Sequence, residues 1–549
     1  MNEKAVKQLT QKGCIVEKDA AEEITEQDLE RIEALDSPPM YITEPMLSRL
    51  REDHEKLQEQ MTEVESGDQK LMVKKDGDQG PGEIEAAVDD SSPGNAEEED
   101  ATGETDAAAD AGVDEGEGSP ARDPNPGDVD QDVQRPASTM RDTGSRDLRT
   151  KVEVLDQADI SKEEKDVPEF LQYYNDRYDR MKKILMQRME MKSAVSIQRL
   201  DRRDEGDEAA TIGLVKDKYS TRSGKYIIEL EDKTGTFKAL IDERDGDRIV
   251  PDEVIGVRGS MGEDIIFANS VVRPDLPIPD GVNTTSEKVK AAYISDFHVG
   301  SKDTMYDRMD KFARWLNSDE AKKVGYLVIP GDIVEGVGTY PGQEEELEIT
   351  DIYRQYARFE EWAEKLPDDL EIIIGPGNHD VTRLAEPQPA LPEKALPNMS
   401  DWNNVHLVQN PQYVRLHGIR SKGIMNLMYH GYSFDDHVDQ IQELREKAYD
   451  DPHHVMIDLL KRRHLAPTYG SNLLSPEEED HLVIDRKPDI LASGHFHSHA
   501  NESYKGVNVI CASTFQQQTD FQKRVGHEPQ PGLVTVVDYK TRNTEVKKF

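Results

Sequence analysis

Cysteine is almost absent. The 549 residues contain only Cys14 and Cys511, far apart and in unrelated contexts, which excludes a disulfide framework and a cysteine-rich zinc module. No run approaches the roughly 18 consecutive apolar residues of a membrane span, and MNEKAVKQLTQKG is not a secretory leader, so the expected compartment is the cytoplasm. Aromatic residues make up only 6% of the chain, so core-forming capacity must be concentrated in part of it. Basic residues are outnumbered 68 to 112, for a formal net charge of -44. The carboxylates recur in every segment, a pattern suited to staying soluble in a high-salt cytoplasm. Such a chain can still hold DNA through a local patch. The length suits three or four domains of about 100–200 residues.

Residues 1–65 read as a small helical domain: Val6, Leu9, Ile15, Val16, Ile24, Leu29, Ile32 and Leu35 recur at helical steps, and MLSRLREDHEKLQEQM resumes the pattern after Pro38 and Pro39. From Asp76 to Asp132 there are 20 acidic residues, one basic residue (Arg122), no leucine and no aromatic. Such a stretch cannot bury a core, and 66–145 is read as an acidic disordered linker. Residues 146–204 read as a helical connector, with Phe170, Tyr173, Tyr174, Tyr178, Met181 and Ile184 on one packing face. Over 205–280 the period falls to two. Ser223-Gly224 and Thr234-Gly235 mark turns between short strands, as in an OB-type β-barrel. Few basic or aromatic residues lie on these strands, so packing is the favoured role and DNA contact the lesser one.

From 285 to 549 apolar runs alternate with helical patterns: AAYI, YLVI, EIIIG, IMNLMY, DILAS, VNVICA and LVTVV. The expectation is an α/β domain, its later strands forming a second sheet to give a two-sheet sandwich flanked by helices. Fourteen of the fifteen histidines lie after residue 290. The runs end in Asp296-Phe297-His298, Gly331-Asp332, Gly377-Asn378-His379-Asp380, His430-Gly431 and Gly494-His495-Phe496-His497. Strand ends are where open α/β sheets place ligands, and residues two apart in an extended segment point to the same side. One such loop means little, but five in order, each with nitrogen or oxygen ligands, are hard to ascribe to coincidence. Imidazole, carboxylate and amide without thiolate suit Mn²⁺, with Fe or Zn²⁺ as alternatives. The number of ligands exceeds one tetrahedral ion and suits two divalent ions.

The order D-x-H, G-D, G-N-H-[DE], H, G-H-x-H resembles the calcineurin-like metallophosphoesterases over about 288–515. With an OB-type segment upstream, PEFLQYYNDRYDRMKKIL ahead of it and a helical N-terminus beyond a tether, the whole chain resembles the small subunits of archaeal D-family DNA polymerases, in a haloarchaeal form. The resemblance implies that Asp296, His298 and His497 hold one ion, that Asp332 bridges both, and that Asn378, His430 and His495 hold the second. His379 would face the scissile phosphate and Asp380 would orient it. The implied function is a 3′–5′ exonuclease acting on single-stranded 3′ ends, in a heterodimer whose large subunit synthesises DNA. The alternatives are a non-catalytic scaffold for that subunit and a free-standing phosphodiesterase or phosphatase.

Gly331-Asp332-Ile333-Val334-Glu335-Gly336 lacks the arginine of G-D-x-V-D-R-G found in the phosphoprotein phosphatases of that superfamily, which favours a diester substrate. His453, His454 and the cluster Lys461-Arg462-Arg463-His464 read as a solvated helix face, and Cys511 as a core residue.

Overall fold

The computed structural model describes residues 148–158, 160 and 167–549 apart from 341, 419–422 and 471, together with Ile15, Val16, Ile24, Thr25, Asp28, Tyr41 and Ile42. The chain divides into two units, Met1–Val129 and Asp130–Phe549. In the first, β1 (Ile15–Val16) pairs in parallel with β2 (Tyr41–Ile42). Helical periodicity places Ile15 and Val16 in a helix, but they form a strand here, consistent with two adjacent β-branched residues. Most of 1–65, Cys14 and all of the expected linker 66–145 lie outside the described residues.

The second unit corrects the all-helical connector. Val152–Leu155 forms a strand, β3, that pairs with the edge of a distant sheet; only then does the helix Val167–Leu185 follow. Four alternating residues carry too little periodicity to reveal a strand whose partner lies some 260 residues away. Beyond the helix, β4 (Glu208–Ser220), β5 (Tyr226–Asp232), β6 (Gly235–Ile241), β7 (Val254–Met261) and β8 (Ile265–Val272) form a closed barrel. The β4–β5 and β5–β6 hairpins turn at the two glycines read as turn signals, Gly224 at φ 79° and Gly235 at φ 155°. Parallel pairing of β6 with β8 closes the ring around Val215, Ile228, Leu230, Ala239, Val257 and Ile266.

The remaining strands are β9 (Lys290–Tyr293), β10 (Val324–Ile329), β11 (Glu371–Ile374), β12 (Val405–Leu407), β13 (Gln412–Leu416), β14 (Ile424–Met428), β15 (Ile490–Ser493), β16 (Ala500–Tyr504), β17 (Val507–Cys511), β18 (Leu533–Asp538) and β19 (Thr544–Lys548). They build two six-stranded sheets, β12-β11-β10-β9-β18-β19 and β16-β17-β15-β14-β13-β3. Tyr293, Tyr326, Val328 and Ile373 of one sheet share a core with Val414, Met428, Ile490 and Ile510 of the other. Helices Tyr306–Leu316 and Ile352–Ala363 cover the outer face of the first sheet, and Phe434–Gln440 and His453–Arg462 that of the second. Burial on both faces explains why β10 reads as an unbroken apolar run. No helix among the described residues is long and apolar enough to cross a membrane.

The basic cluster is not a solvated face. Arg462 is buried and its guanidinium bonds Asp458 at 2.7 Å, the Arg248 carbonyl at 2.6 Å, and Glu253 of the barrel segment. Arg463 caps the helix at φ 59° and donates to the Asp485 carbonyl. His464 lies past the helix end, buried against Asp480 at 2.8 Å. His453 and His454 are half-buried with rings 4.1 Å apart, and Cys511 sits in the core as expected.

Arg177, on the packing face of the helix Val167–Leu185, is also buried. It bonds Asp480 at 2.7 Å, the Pro467 carbonyl at 2.6 Å, the Asp252 carbonyl at 3.1 Å and the Tyr173 hydroxyl at 2.9 Å. One charge thus ties the helix, the barrel and the two-sheet region together. Asp480→Ala strands this guanidinium in a dry site and is expected to destabilise the fold by about 3–5 kcal/mol, the usual cost of breaking a buried pair from one side. Urea unfolding measures it; a change within about 0.5 kcal/mol would show that the pair carries no weight.

Candidate metal centre

All five loops leave the C-terminal ends of parallel strands: those after β9, β10 and β11 in one sheet, and those after β14 and β15 in the other. The two sheets therefore present their ligand-bearing edges side by side. Three groups of donor atoms converge: Asp296, His298 and His497; Asp332, His430 and His495; and His298, Asp332 and His379. His298 Nε2 lies 2.9 Å from His497 Nε2, and His497 Nε2 lies 3.5 Å from Asp296 Oδ1. Asp332 Oδ2 lies 3.1 Å from His430 Nε2 and 3.8 Å from His298 Nε2, so one oxygen reaches both sides. Asn378 Oδ1 is 3.0 Å from His430 Nε2. Asp296, His298, Asp332, Asn378, His379, His430, His495 and His497 are all brought to this place.

The convergence does not arise from strand alternation. Asp296 (φ 53°), His298 (47°), Asp332 (50°), His495 (73°) and His497 (56°) all adopt left-handed backbone. Such a conformation is strained for a residue with a Cβ and persists where the surroundings impose it, commonly at functional sites. Tight turns, not extended segments, bring the paired residues together. Between the first pair, Phe297 turns into the core against Phe359, Trp362 and Phe515. Two motif glycines answer to close approach: a Cβ at Gly377 would lie 2.2 Å from Asp332 Oδ1, and one at Gly494 would lie 2.3 Å from Asp296 Oδ2.

Electrostatics match a cation site. Burial alone would raise the Asp296 and Asp332 pKa values, yet neighbouring imidazoles hold both carboxyls below the usual range. Burial would lower His430, but Asp332, Asp296 and Asp380 together outweigh it and raise the imidazole to about 9. Buried carboxylates need a positive partner, which the imidazoles supply here and which a divalent ion could supply in place of their protons. His430 Nδ1 has no hydrogen-bond partner. A thiolate-free N/O donor set with 2.9–3.9 Å separations could hold a metal ion.

Asp380 requires a correction. It does not meet the His379 ring: its Oδ1 accepts from the Tyr356 hydroxyl at 2.8 Å and its Oδ2 from Gly377 N at 2.8 Å. Burial and the nearby Asp332 charge raise it to about 7. Asp380 pins the glycine turn, whereas His379 Nδ1 donates to the Glu335 carbonyl at 2.7 Å. The pairing implied by the resemblance does not form because the two side chains leave the turn in different directions.

Three further residues escaped sequence reading. Glu335 Oε2 lies 2.9 Å from His298 Nδ1 and accepts from Gln516 Nε2 at 2.7 Å. Asp435 Oδ2 lies 2.8 Å from His495 Nε2, and Asp435 Oδ1 accepts from the Tyr449 hydroxyl. Gln522 Nε2 lies 3.0 Å from His497 Nδ1. Carboxylates behind imidazole ligands fix their tautomer and orientation. In a chain with 112 acidic residues, two more carboxylates carry no signal, and only their place beside an imidazole distinguishes them.

Comparison with known proteins places this site in context. The family of the B-type subunits of DNA polymerases alpha and epsilon matches residues 291–501, the span that holds all the converging motifs. A DNA polymerase II small subunit of Methanocaldococcus jannaschii is 37% identical over 414 residues, covering 72% of this chain and 68% of that protein. That of Halobacterium salinarum is 39% identical, covering 69% of this chain and 75% of its own, and that of Archaeoglobus fulgidus 40%, covering 67% and 75%. Among solved structures, an archaeal phosphodiesterase aligns with 48% of this chain and all of its own at 14% identity, but the TM-score of 0.23 is too low to bear on the fold. The relatives match more than two thirds of the chain at more than one third identity, and the chain belongs to the DNA polymerase II small subunit family.

Proposed function

We propose that this chain is the nuclease-bearing small subunit of a heteromeric replicative DNA polymerase, a calcineurin-like phosphoesterase preceded by an OB-type barrel. In this reading it hydrolyses terminal phosphodiesters of single-stranded 3′ ends in the 3′–5′ direction, while a large partner subunit performs synthesis. The observation that carries the reading is the shared position of Asp332, whose Oδ2 lies within 3.8 Å of an imidazole on either side. Asp296, His298 and His497 would hold one divalent ion, and Asn378, His430 and His495 the other, with Asp332 common to both. Such a pair supplies Lewis acidity to a phosphoryl oxygen and activates water.

The chain's own residues supply the rest. Asp435 holds His495 in a fixed tautomer, and the Glu335 carboxylate lies 2.9 Å from His298 Nδ1. His379, half-buried and held through Nδ1 by the Glu335 carbonyl, keeps Nε2 for the substrate. There it can stabilise charge on the phosphate or protonate the leaving oxygen. Glu335-Gly336 stands where phosphoprotein phosphatases carry Asp-Arg, so the extra charge of a monoester lacks its clamp and a diester is favoured. A scaffold role is the weaker reading, because no ligand position is lost.

The test uses purified chain with Mn²⁺ on single strands labelled at the 3′ or the 5′ end, with and without the large subunit. Stepwise release of nucleotides from the 3′ end is expected. Degradation from the 5′ end would refute the polarity, and absence of cleavage in both settings would favour the scaffold.

A further inference from the structure

We propose that Tyr340 and Phe521 form a stacking platform for a nucleobase of the single strand, beside the metal centre; this deepens the nuclease reading and rests on it. Phe521 lies on the short helix Asp520–Val525, which opens with a Thr519–Gln522 capping box. The same Gln522 amide reaches His497 Nδ1 at 3.0 Å, so the helix is fixed to the centre by the residue next to Phe521. Tyr340 lies on the loop that leaves Glu335. That loop returns through Gln343, whose Nε2 donates to the Glu335 carbonyl at 3.0 Å, and the Tyr340 hydroxyl is anchored on Glu346 at 2.7 Å. The two rings stack, with centroids 6.3 Å apart and planes 29° from parallel.

Two features point to a ligand. Phe521 is 50% exposed, with its ring against Tyr340. Tyr340 also borders an open cleft of about 590 Å³ lined with it by Glu345, Glu346, Asp520, Lys523 and Arg524. Three carboxylates against two cations leave the cleft without a surplus of positive charge, and Lys523 is held by Asp520 at 2.8 Å. Phosphate attraction, the usual source of strand affinity and one that salt erodes, is weak here. Stacking of a base on an aromatic ring is tolerant of sequence and does not rely on counterion release. An acidic chain that binds a single strand is thus expected to use the ring faces, with little dependence on salt.

The test compares the wild-type chain with Phe521→Ala and Phe521→Trp. The substrates are a normal single strand and one carrying abasic sites in its last three nucleotides; binding is read separately by quenching of a terminal 2-aminopurine. Phe521→Ala should lower kcat/KM on the normal strand about ten- to a hundredfold, leave metal content unchanged and abolish the quenching, while Phe521→Trp restores both. On the abasic strand wild type and Phe521→Ala should be equal. Loss of the same size on both strands would reduce Phe521 to support for His497 and overturn the platform. So would unchanged strand kinetics with loss of large-subunit binding, which would make the face a protein interface. If wild type quenches and Phe521→Ala does not, yet neither cleaves DNA, the platform stands and the nuclease reading falls.

Discussion

Asp332→Ala is expected to abolish nuclease activity and to lower the metal content of the purified chain. The side chain is 1% exposed, and its Oδ2 is the atom closest to bridging the two imidazole groups. Its other oxygen accepts from His379 N at 2.9 Å, which ties the glycine turn to the same carboxylate. Removing it takes away the negative charge that would balance the two proposed cations and the contact that sets the His379 loop. The loss should exceed that of any single imidazole, because each imidazole serves one side only. Metal analysis together with the end-labelled strand assay measures it. Full metal content with wild-type cleavage would refute the shared-carboxylate assignment.

His379→Ala is expected to lower turnover by about 10²–10⁴-fold, the range for an acid–base or charge-stabilising group, with metal content near that of wild type. His379 is only half-buried while the assigned ligands around it are mostly buried, and its Nδ1 is committed to the Glu335 carbonyl. The geometry allows a rival assignment, since His379 also shares a donor group with His298 and Asp332. Metal analysis decides between them: loss of one ion per chain in His379→Ala would make it a ligand. Association with the large subunit should survive both substitutions, since neither residue is proposed to face the partner.

The candidate site was legible in the sequence because its ligands sit in short motifs at the ends of apolar runs, each spelled by local order alone. Seven strands of 285–549 were legible for the same reason, since burial on both faces writes unbroken apolar runs such as YLVI, whereas β12, β13, β16 and β19 carry no such run. Residues whose role depends on a distant partner were not legible. β3 is four residues whose meaning comes from pairing with Gln412–Leu416. Arg462, Arg463 and His464 read as a solvated basic cluster because charge predicts exposure, yet buried carboxylates and carbonyls elsewhere in the chain accept them.

What the sequence determined by itself is the inventory of chemistry: which donor types exist, in what order, after which strands, and that thiolates are not among them. Tertiary structure decided how those donors are aimed. It placed five candidate ligands in left-handed turns instead of extended segments, gave His379 to a backbone carbonyl instead of Asp380, and set Glu335 and Asp435 behind His298 and His495. The physical reason is that ligand type is a property of one residue. Direction depends on backbone dihedrals and on partners tens to hundreds of residues away, held in place only when both sheets and their helices close around them.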